Sequence, residues 1–296
     1  MPIEKDLSHL PTKVEGLPPT SNPRFGPHLA AVWMDMFGDD EDRPMADDTA
    51  RVRASWAGNC ARRIGYELTT DIERSNPMTI ADYWRLGIGK AVHEWWQQAM
   101  VHTFPDAEPE KKSLLLDGLF AGHGDLYIPE LKVEIEAKTI NGFGFKKAVG
   151  SRGPAEGPRH SALLQGALNA HAHGAEQLVI LYLSLELLSP REREKINTDE
   201  IGRFVAEWVF DREVFEPLAL AELERLQLIV ADVDAGVMPE RRIPDPEMNR
   251  DAIITNPSTG EWRVEAAGLI LDTGKTWHCA YCPFQDQCVT DSEHGQ

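Results

Sequence analysis

Two groups of residues in this sequence have the types and the spacing of chemistry. The first lies in "GDLYIPELKVEIEAKT", where Asp125 precedes Glu134, Glu136 and Lys138. Alternate residues of a strand face opposite sides, so Glu134, Glu136 and Lys138 share one face and Val133, Ile135 and Ala137 the other. An acid and a lysine two apart on one face reach the same bound group, although an amphipathic strand with a solvated charged face has the same pattern. Asp125 tips the balance towards chemistry. It opens the neighbouring strand inside "GHGD", where small residues would let a substrate or metal approach. Two carboxylates held together in a cleft repel unless a cation sits between them. Oxygen ligands of this kind suit Mg2+ or Mn2+, which also bind substrate phosphates. A lysine beside such an ion can orient or help deprotonate water and offset charge building on phosphorus. These are the parts of a metal-dependent phosphodiesterase.

The second group is "WHCAYCPFQDQC", which places Cys279, Cys282 and Cys288 in the spacing C-x2-C-x5-C. The only other cysteine is Cys60. Clustered cysteines in a reducing compartment read as metal ligands before disulfides. Four thiolates suit a structural zinc site and an iron–sulfur cluster alike.

The elements that must position these residues follow from periodicity. Residues 1 to about 28 are rich in Pro and polar residues and read as an irregular arm, followed by the acidic stretch "FGDDEDRPMADD". "RVRASWAGNCARRIGYEL" looks like the entry to a helix carrying Cys60, Arg62, Arg63 and Tyr66. "MTIADYWRLGIGKAVHEWWQQAMVHTF", with Thr79 as a cap, predicts a helix. From Ser113 to Ile140 the period is two, which predicts antiparallel strands with a tight turn at "PELK". The Gly-rich, basic "NGFGFKKAVGSRGPAEGPRH" reads as a long functional loop. Its Lys146, Lys147, Arg152 and Arg159 form either a solvated charge run or a lip guiding a nucleic-acid strand; Arg62 and Arg63 are similar candidates. An amphipathic helix ("SALLQGALNAHAHG"), a buried strand ("EQLVILYLSLE"), a further strand ("GRFVAEWVFD") and a long helix ended by Gly236 come next. "IITNPSTGEWRV" reads as a hairpin before the cysteine tail. The predicted class is α/β, a mixed sheet flanked by helices with a helical layer. The division is an arm (1–50), a helical region with the first cysteine and His93 (51–112), a core (113–240) and a cysteine-bearing segment (241–296).

The chain of 296 residues can bury a substantial core. No basic leader or small-residue cleavage site follows Met1, and the most apolar run is too short to span a bilayer, so a soluble cytoplasmic protein with no membrane partner is expected. The net charge of −18 argues against nonspecific coating of duplex DNA, but leaves room for a nuclease with a local basic channel.

At this point the sequence resembles a known family. "GD" followed by "EIEAK" resembles the D...(D/E)-x-K core of the PD-(D/E)XK nuclease superfamily, with Asp125, Glu136 and Lys138 in its three positions. "GKAVHEW" matches the G-x-x-x-H motif of RecB-type nucleases at Gly89 and His93, and "LLQGALN" resembles their Q-x-x-x-Y motif, with Gln165 in place and Asn169 where tyrosine is usual. Without that match, His93 reads equally as a core histidine and Gln165 as a polar helix residue. One early cysteine with a C-terminal C-x2-C-x5-C is similar to the iron–sulfur subgroup, which includes the AddB-type nuclease and the CRISPR-associated exonuclease of the fourth Cas family, also found in phages. The resemblance implies a restriction-endonuclease-like core and a DNA exonuclease acting on single strands or free ends. It implies that His93, Asp125, Glu136 and the carbonyl of Ala137 hold Mg2+ or Mn2+. Lys138 would position water, Gln165 would orient Lys138 or the substrate, and Cys60, Cys279, Cys282 and Cys288 would ligate a 4Fe-4S cluster that staples the chain's end to its first core helix. Two further readings stand beside it: a non-catalytic DNA-binding subunit, and a processing nuclease that needs a protein partner in recombination or CRISPR adaptation. A homo-oligomer is compatible with each.

Overall fold

Six strands form one mixed sheet, and its middle holds the acidic motif. The computed structural model describes residues 50–69, 72–76, 78–151, 153–194, 201–241, 252–255, 262–266, 269–270 and 282–293. All of them belong to the larger of the chain's two compact units, Arg43–Gln296. The N-terminal arm, Arg152, Cys279 and most of the Pro-rich passage lie outside the described residues.

The first strand is β1 (Val52–Arg53), followed by a 3-10 turn at Ala54–Trp56. Helix α1 (Ala61–Leu68) begins one residue after Cys60, which is its N-cap. The cysteine therefore sits on the approach to the helix rather than within it. Helix α2 (Ile80–Thr103) starts at Thr79, whose backbone N–H donates to Asp82 Oδ2 at 3.0 Å, the backward bond of a capping box. Strand β2 (Glu108–Leu115) begins five residues before the predicted alternation, in the charged run "EPEKK". A 3-10 turn at Leu116–Gly118, with Leu116 and Asp117 at positive φ, separates it from β3 (Phe120–Ile128). A four-residue turn then leads to β4 (Val133–Ile140).

The predicted Gly-rich loop contains helix α3 (Gly142–Ala148), which corrects the sequence reading. Asn141 caps it, accepting the Gly144 N–H on its side chain at 2.8 Å, and this cap offsets the poor helix propensity of two glycines. Helix α4 (His160–His173) ends at Gly174, which takes the left-handed conformation. Next come β5 (Gln177–Ser184), the single turn α5 (Pro190–Arg193), β6 (Val205–Asp211) and the long α6 (Arg212–Asp234). Strands β7 (Ala252–Thr255), β8 (Trp262–Ala266) and β9 (Leu269–Ile270) form a separate antiparallel sheet, and α7 (Gln285–Glu293) follows the cysteine segment.

In the main sheet β4 and β5 run parallel, joined through α4, while β3–β4, β2–β3 and β5–β6 are antiparallel. Both faces are covered. Ile135 and Ala137 of β4 pack with Trp96 of α2 on one side, and Leu178, Ile180 and Tyr182 of β5 pack with α4 and α6 on the other. That two-sided burial explains why β5 reads as an unbroken apolar run. The fold is α/β, a mixed sheet flanked by helices. Among the described residues no helix is long and apolar enough to cross a membrane.

Candidate active site

The site is built where the central ladder opens. Strand β3 pairs with β2 along one edge, and its other edge is shared by β1 at Phe120–Ala121 and β4 at Leu126–Ile128. Between them, residues 122–125 have no strand partner on that edge, and buried backbone groups there need other partners. Two side chains bridge the gap, one to each side of it. Asp125 Oδ2 accepts the Ala137 N–H at 2.7 Å, and Asn169 Nδ2 donates to the His123 carbonyl at 3.2 Å. Opposite the opening, Glu110 has a φ of 49°. Gln97 of α2 holds this irregularity by donating to both Glu110 Oε1, at 2.9 Å, and the Asp125 carbonyl, at 2.7 Å.

Strand β4 faces α4 with Glu134, Glu136 and Lys138, as the period of two requires. The two helical and strand repeats match: two strand residues advance about 6.6 Å and four helical residues about 6.0 Å. Three acceptor or charged groups of β4 thus meet three polar groups of α4. Lys138 Nζ donates to Gln165 Oε1 at 3.1 Å, Asn169 Nδ2 reaches Glu136 Oε2 at 3.4 Å, and Glu134 Oε2 lies 2.8 Å from His173 Nδ1. Lys138 Nζ also donates to Glu136 Oε1 at 2.5 Å. From the other helical layer, His93 Nδ1 of α2 stands 3.6 Å from Asp125 Oδ1.

Two sequence readings are corrected here. Glu134 and Glu136 are both fully buried, not a solvated face. The glycines of "GHGD" admit the protein's own groups rather than a substrate: a Cβ at Gly122 would lie 2.3 Å from that of Ala54, and one at Gly124 only 1.9 Å from Glu134 Oε1.

The electrostatics follow from this burial. Burial, then the charge of Asp125, pushes the Glu136 carboxyl above the ordinary range, against the pull of Lys138. Burial would lower Lys138, but the charges of Glu136 and Asp125 outweigh it and hold the ammonium above its usual value. His93 behaves likewise, with burial pulling it down and the bond and charge of Asp125 raising it overall. Burial, reinforced by Glu136 and Asp125, holds Glu134 well above the carboxylate range, while burial lowers His173.

Among the described residues, no three His, Cys, Asp or Glu side chains come together as a ready-made metal site. The donor set nonetheless fits a hard divalent cation. The charge of Asp125 is close enough to raise the cost of ionising Glu136, and Mg2+ binds through one or two carboxylates while keeping waters.

The two lysines of the 141–159 stretch are engaged locally. Lys146 pairs with Glu186, and Lys147 Nζ with Glu156 at 2.8 Å. The backbone N–H of Arg159 donates to the Tyr182 hydroxyl at 2.7 Å, and its side chain is exposed. The cysteine segment packs on α1. Tyr66 donates its hydroxyl to Asp291 at 2.6 Å and its ring lies 5.4 Å from that of Phe284; Asn76 Nδ2 donates to the Cys282 carbonyl at 2.9 Å. Burial, the Asp291 bond and the charges of Cys288 and Asp291 raise the Tyr66 phenol. Cys60, Cys282 and Cys288 are partly buried.

Sequence reasoning missed Gln97, Ser113 and His173, and gave Asn169 and Glu134 no task. The signal for two of them was present: Gln165, Asn169 and His173 recur every four residues on one face of α4.

No protein-family model matches the chain, and no curated protein matches it. Solved structures do resemble it. SSO0001 aligns with a TM-score of 0.45 at 14% identity, covering 70% of this chain and 86% of that one. The alkaline exonuclease LHK-Exo of Laribacter hongkongensis in complex with dAMP aligns at 0.45 and 12%, over 66% and 93%. A phage-related exonuclease from Haemophilus somnus 129PT aligns at 0.35 and 15%, over 49% and 69%. At such identities and scores the functional reading rests on the site's own geometry.

Proposed function

We propose that the chain is a metal-dependent DNA exonuclease of the PD-(D/E)XK, RecB-like type, acting on single strands or free ends. One observation carries the reading: Lys138 Nζ is held between Glu136 and Gln165 while Asp125 presents its carboxylate across the open ladder at Ala137 and His93. Buried acids are costly, and a cleft that gathers two of them with a lysine suits the hydrolysis of an anionic ester.

Asp125 and Glu136, with His93 and the Ala137 carbonyl, would hold Mg2+ or Mn2+. When bound, the cation supplies positive charge to the scissile phosphate and favours loss of a proton from water. The remaining roles fall to the chain. Lys138, kept cationic by its two acidic neighbours, donates a hydrogen bond that orients the attacking water and offsets charge in the transition state. Gln165 fixes the direction of the ammonium. Arg159, Lys146, Lys147 and Arg152 would contact the substrate strand, the two lysines by exchanging carboxylate partners for phosphate.

The same reading assigns Cys60, Cys279, Cys282 and Cys288 to a 4Fe-4S cluster, with zinc as the rival occupant. The packing of residues 282–293 on the helix that Cys60 caps supports a staple there, since closing a loop of that length stabilises the fold without touching the hydrolysis. Dependence on a protein partner is a second reading, favoured by the net charge of −18.

The test is incubation of anaerobically purified protein with end-labelled linear and covalently closed single-stranded DNA in Mn2+, after measuring bound iron, sulfide and zinc. Loss of the linear substrate alone, blocked by a chelator and by Glu136→Gln, is expected. Equal degradation of the closed circle removes the end requirement, and no cleavage of either substrate removes the exonuclease.

A further inference from the structure

The buried face between β4 and α4 holds four polar groups that the proposed hydrolysis leaves unused: Ser113, Glu134, Asn169 and His173. Ser113, Glu134 and Asn169 are fully buried, and the His173 side chain is nearly so. They form one continuous chain of contacts. Glu134 Oε2 is 2.8 Å from His173 Nδ1, His173 Nε2 is 3.0 Å from Ser113 Oγ, and Ser113 Oγ donates to Asn169 Oδ1 at 2.9 Å. Asn169 Nδ2 then donates to the His123 carbonyl at 3.2 Å and to Glu136 Oε2 at 3.4 Å, the longest link.

Hydrogen-bond polarity fixes every member from Asn169 back to His173 Nε2. The amide nitrogen of Asn169 faces a carbonyl and a carboxylate, both acceptors, so its oxygen must face Ser113. The Ser113 hydroxyl spends its only proton on that oxygen, so towards His173 it can only accept. His173 must therefore carry a proton on Nε2, where the Lys112 carbonyl, 3.3 Å away, is a second acceptor. Nδ1 is left to the Glu134 carboxyl, which is held against Gly124. From His173 Nε2 onward the donors run in one direction and end on Glu136.

We infer that Asn169 is a positioning residue for Glu136, fixed in orientation by the chain Glu134–His173–Ser113, and that it sets which oxygen of Glu136 is presented to a divalent cation. The consequence for cleavage rests on the nuclease reading above; the orientation of the carboxylate does not. Lys138 holds Oε1 of Glu136 and Asn169 holds Oε2, so losing the amide frees the carboxylate to rotate about its terminal bond. Were these groups only satisfying one another's burial, their loss would lower stability and leave cation binding unchanged.

The test compares wild type with Asn169→Leu, similar in shape but unable to donate, and with Ser113→Ala, a milder change that frees the amide. Glu136→Gln is the control. The readouts are kcat and KM on linear single-stranded DNA, the Mn2+ dissociation constant by electron paramagnetic resonance without DNA, the thermal midpoint, and the imidazole nitrogen shifts of His173. Outer partners of metal ligands typically account for about 10- to 100-fold in affinity or activity. A fall of that order in Mn2+ affinity and kcat is expected for Asn169→Leu with KM unchanged, a smaller fall in the same direction for Ser113→Ala, and a protonated Nε2 on His173 in wild type. Wild-type Mn2+ affinity and cleavage in Asn169→Leu, with Glu136→Gln inactive, overturns the positioning role and leaves the nuclease standing. If wild type binds Mn2+ but does not cleave, the nuclease reading fails and affinity alone decides: unchanged in Asn169→Leu, it overturns the inference. No Mn2+ binding by wild type, or an unprotonated Nε2 on His173, also overturns it.

Discussion

Replacing Gly124 with alanine tests the tightest contact of the site. In a strand, alanine ordinarily improves on glycine by about 0.5–1 kcal/mol. Here the new methyl carbon would lie 1.9 Å from Glu134 Oε1 and 3.0 Å from both Glu134 Cδ and His173 Cε1. A carboxylate on a flexible surface side chain would swing away at little cost. Glu134 is fully buried, and swinging away breaks its 2.8 Å contact with His173. Overpacking costs about 1–3 kcal/mol, and a buried hydrogen bond left unmade about 1–3 kcal/mol more. Net of the strand preference, Gly124→Ala should destabilise by about 1–5 kcal/mol, at roughly 2–4 °C in thermal midpoint per kcal/mol for a large domain. Urea unfolding reads this as a lower midpoint with unchanged slope. The cause is isolated by a second measurement in the background of Glu134→Ala, which removes the obstructing carboxylate. There the same substitution should cost less than about 1 kcal/mol, a coupling typical of residues in contact. A Gly124→Ala protein as stable as wild type, or an equal loss in both backgrounds, would refute the steric argument.

Two other predictions concern stability. Glu216 is held down to about 2, first by its hydrogen bonds from Arg212 and then by that residue's charge and by His171. A depressed carboxyl stabilises the fold fully above its unfolded value, about 4.5, and loses that contribution as pH falls towards 2. The difference in urea midpoint between wild type and Glu216→Gln should therefore be constant near neutrality and shrink between pH 4.5 and 2; a pH-independent difference would exclude the linkage. Tyr66→Phe removes the 2.6 Å bond to Asp291 and should cost about 1–2 kcal/mol while exposing residues 282–293 to limited proteolysis. Unchanged protection would mean that the segment is held by other contacts.

The division of β4 into two faces was legible, because a strand's period is two and its residues alternate cleanly. The buried run of β5 and the helix over residues 160–173 were legible for similar reasons. The helix at Gly142–Ala148 was hidden because its composition, two glycines in seven residues, argues for a loop, and its local cap at Asn141 outweighs that. The early start of β2 was hidden by charged residues at a strand with mostly exposed positions. For the site, spacing drew together Asp125, Glu134, Glu136 and Lys138, and the choice of Glu136 over Glu134, like that of Gln165, came from the resemblance. The burial of Glu134 could not, since an acid on a strand is ordinarily solvated. What buries it is the partner on α4, and Asn169 and His173 become meaningful only when the helix lies antiparallel over the strand in matching register. Gln97 and Ser113 belong to elements remote in sequence, so no local pattern marks them.

The most direct measurement of the central claim is release of nucleotide from end-labelled linear single-stranded DNA by wild type and Lys138→Ala at matched Mn2+, with circular dichroism and bound-metal content showing both proteins equally folded and loaded. Positioned proton-handling groups contribute about 100- to 10,000-fold. A loss of that order in Lys138→Ala is the result this account predicts; cleavage within about twofold of wild type would contradict it.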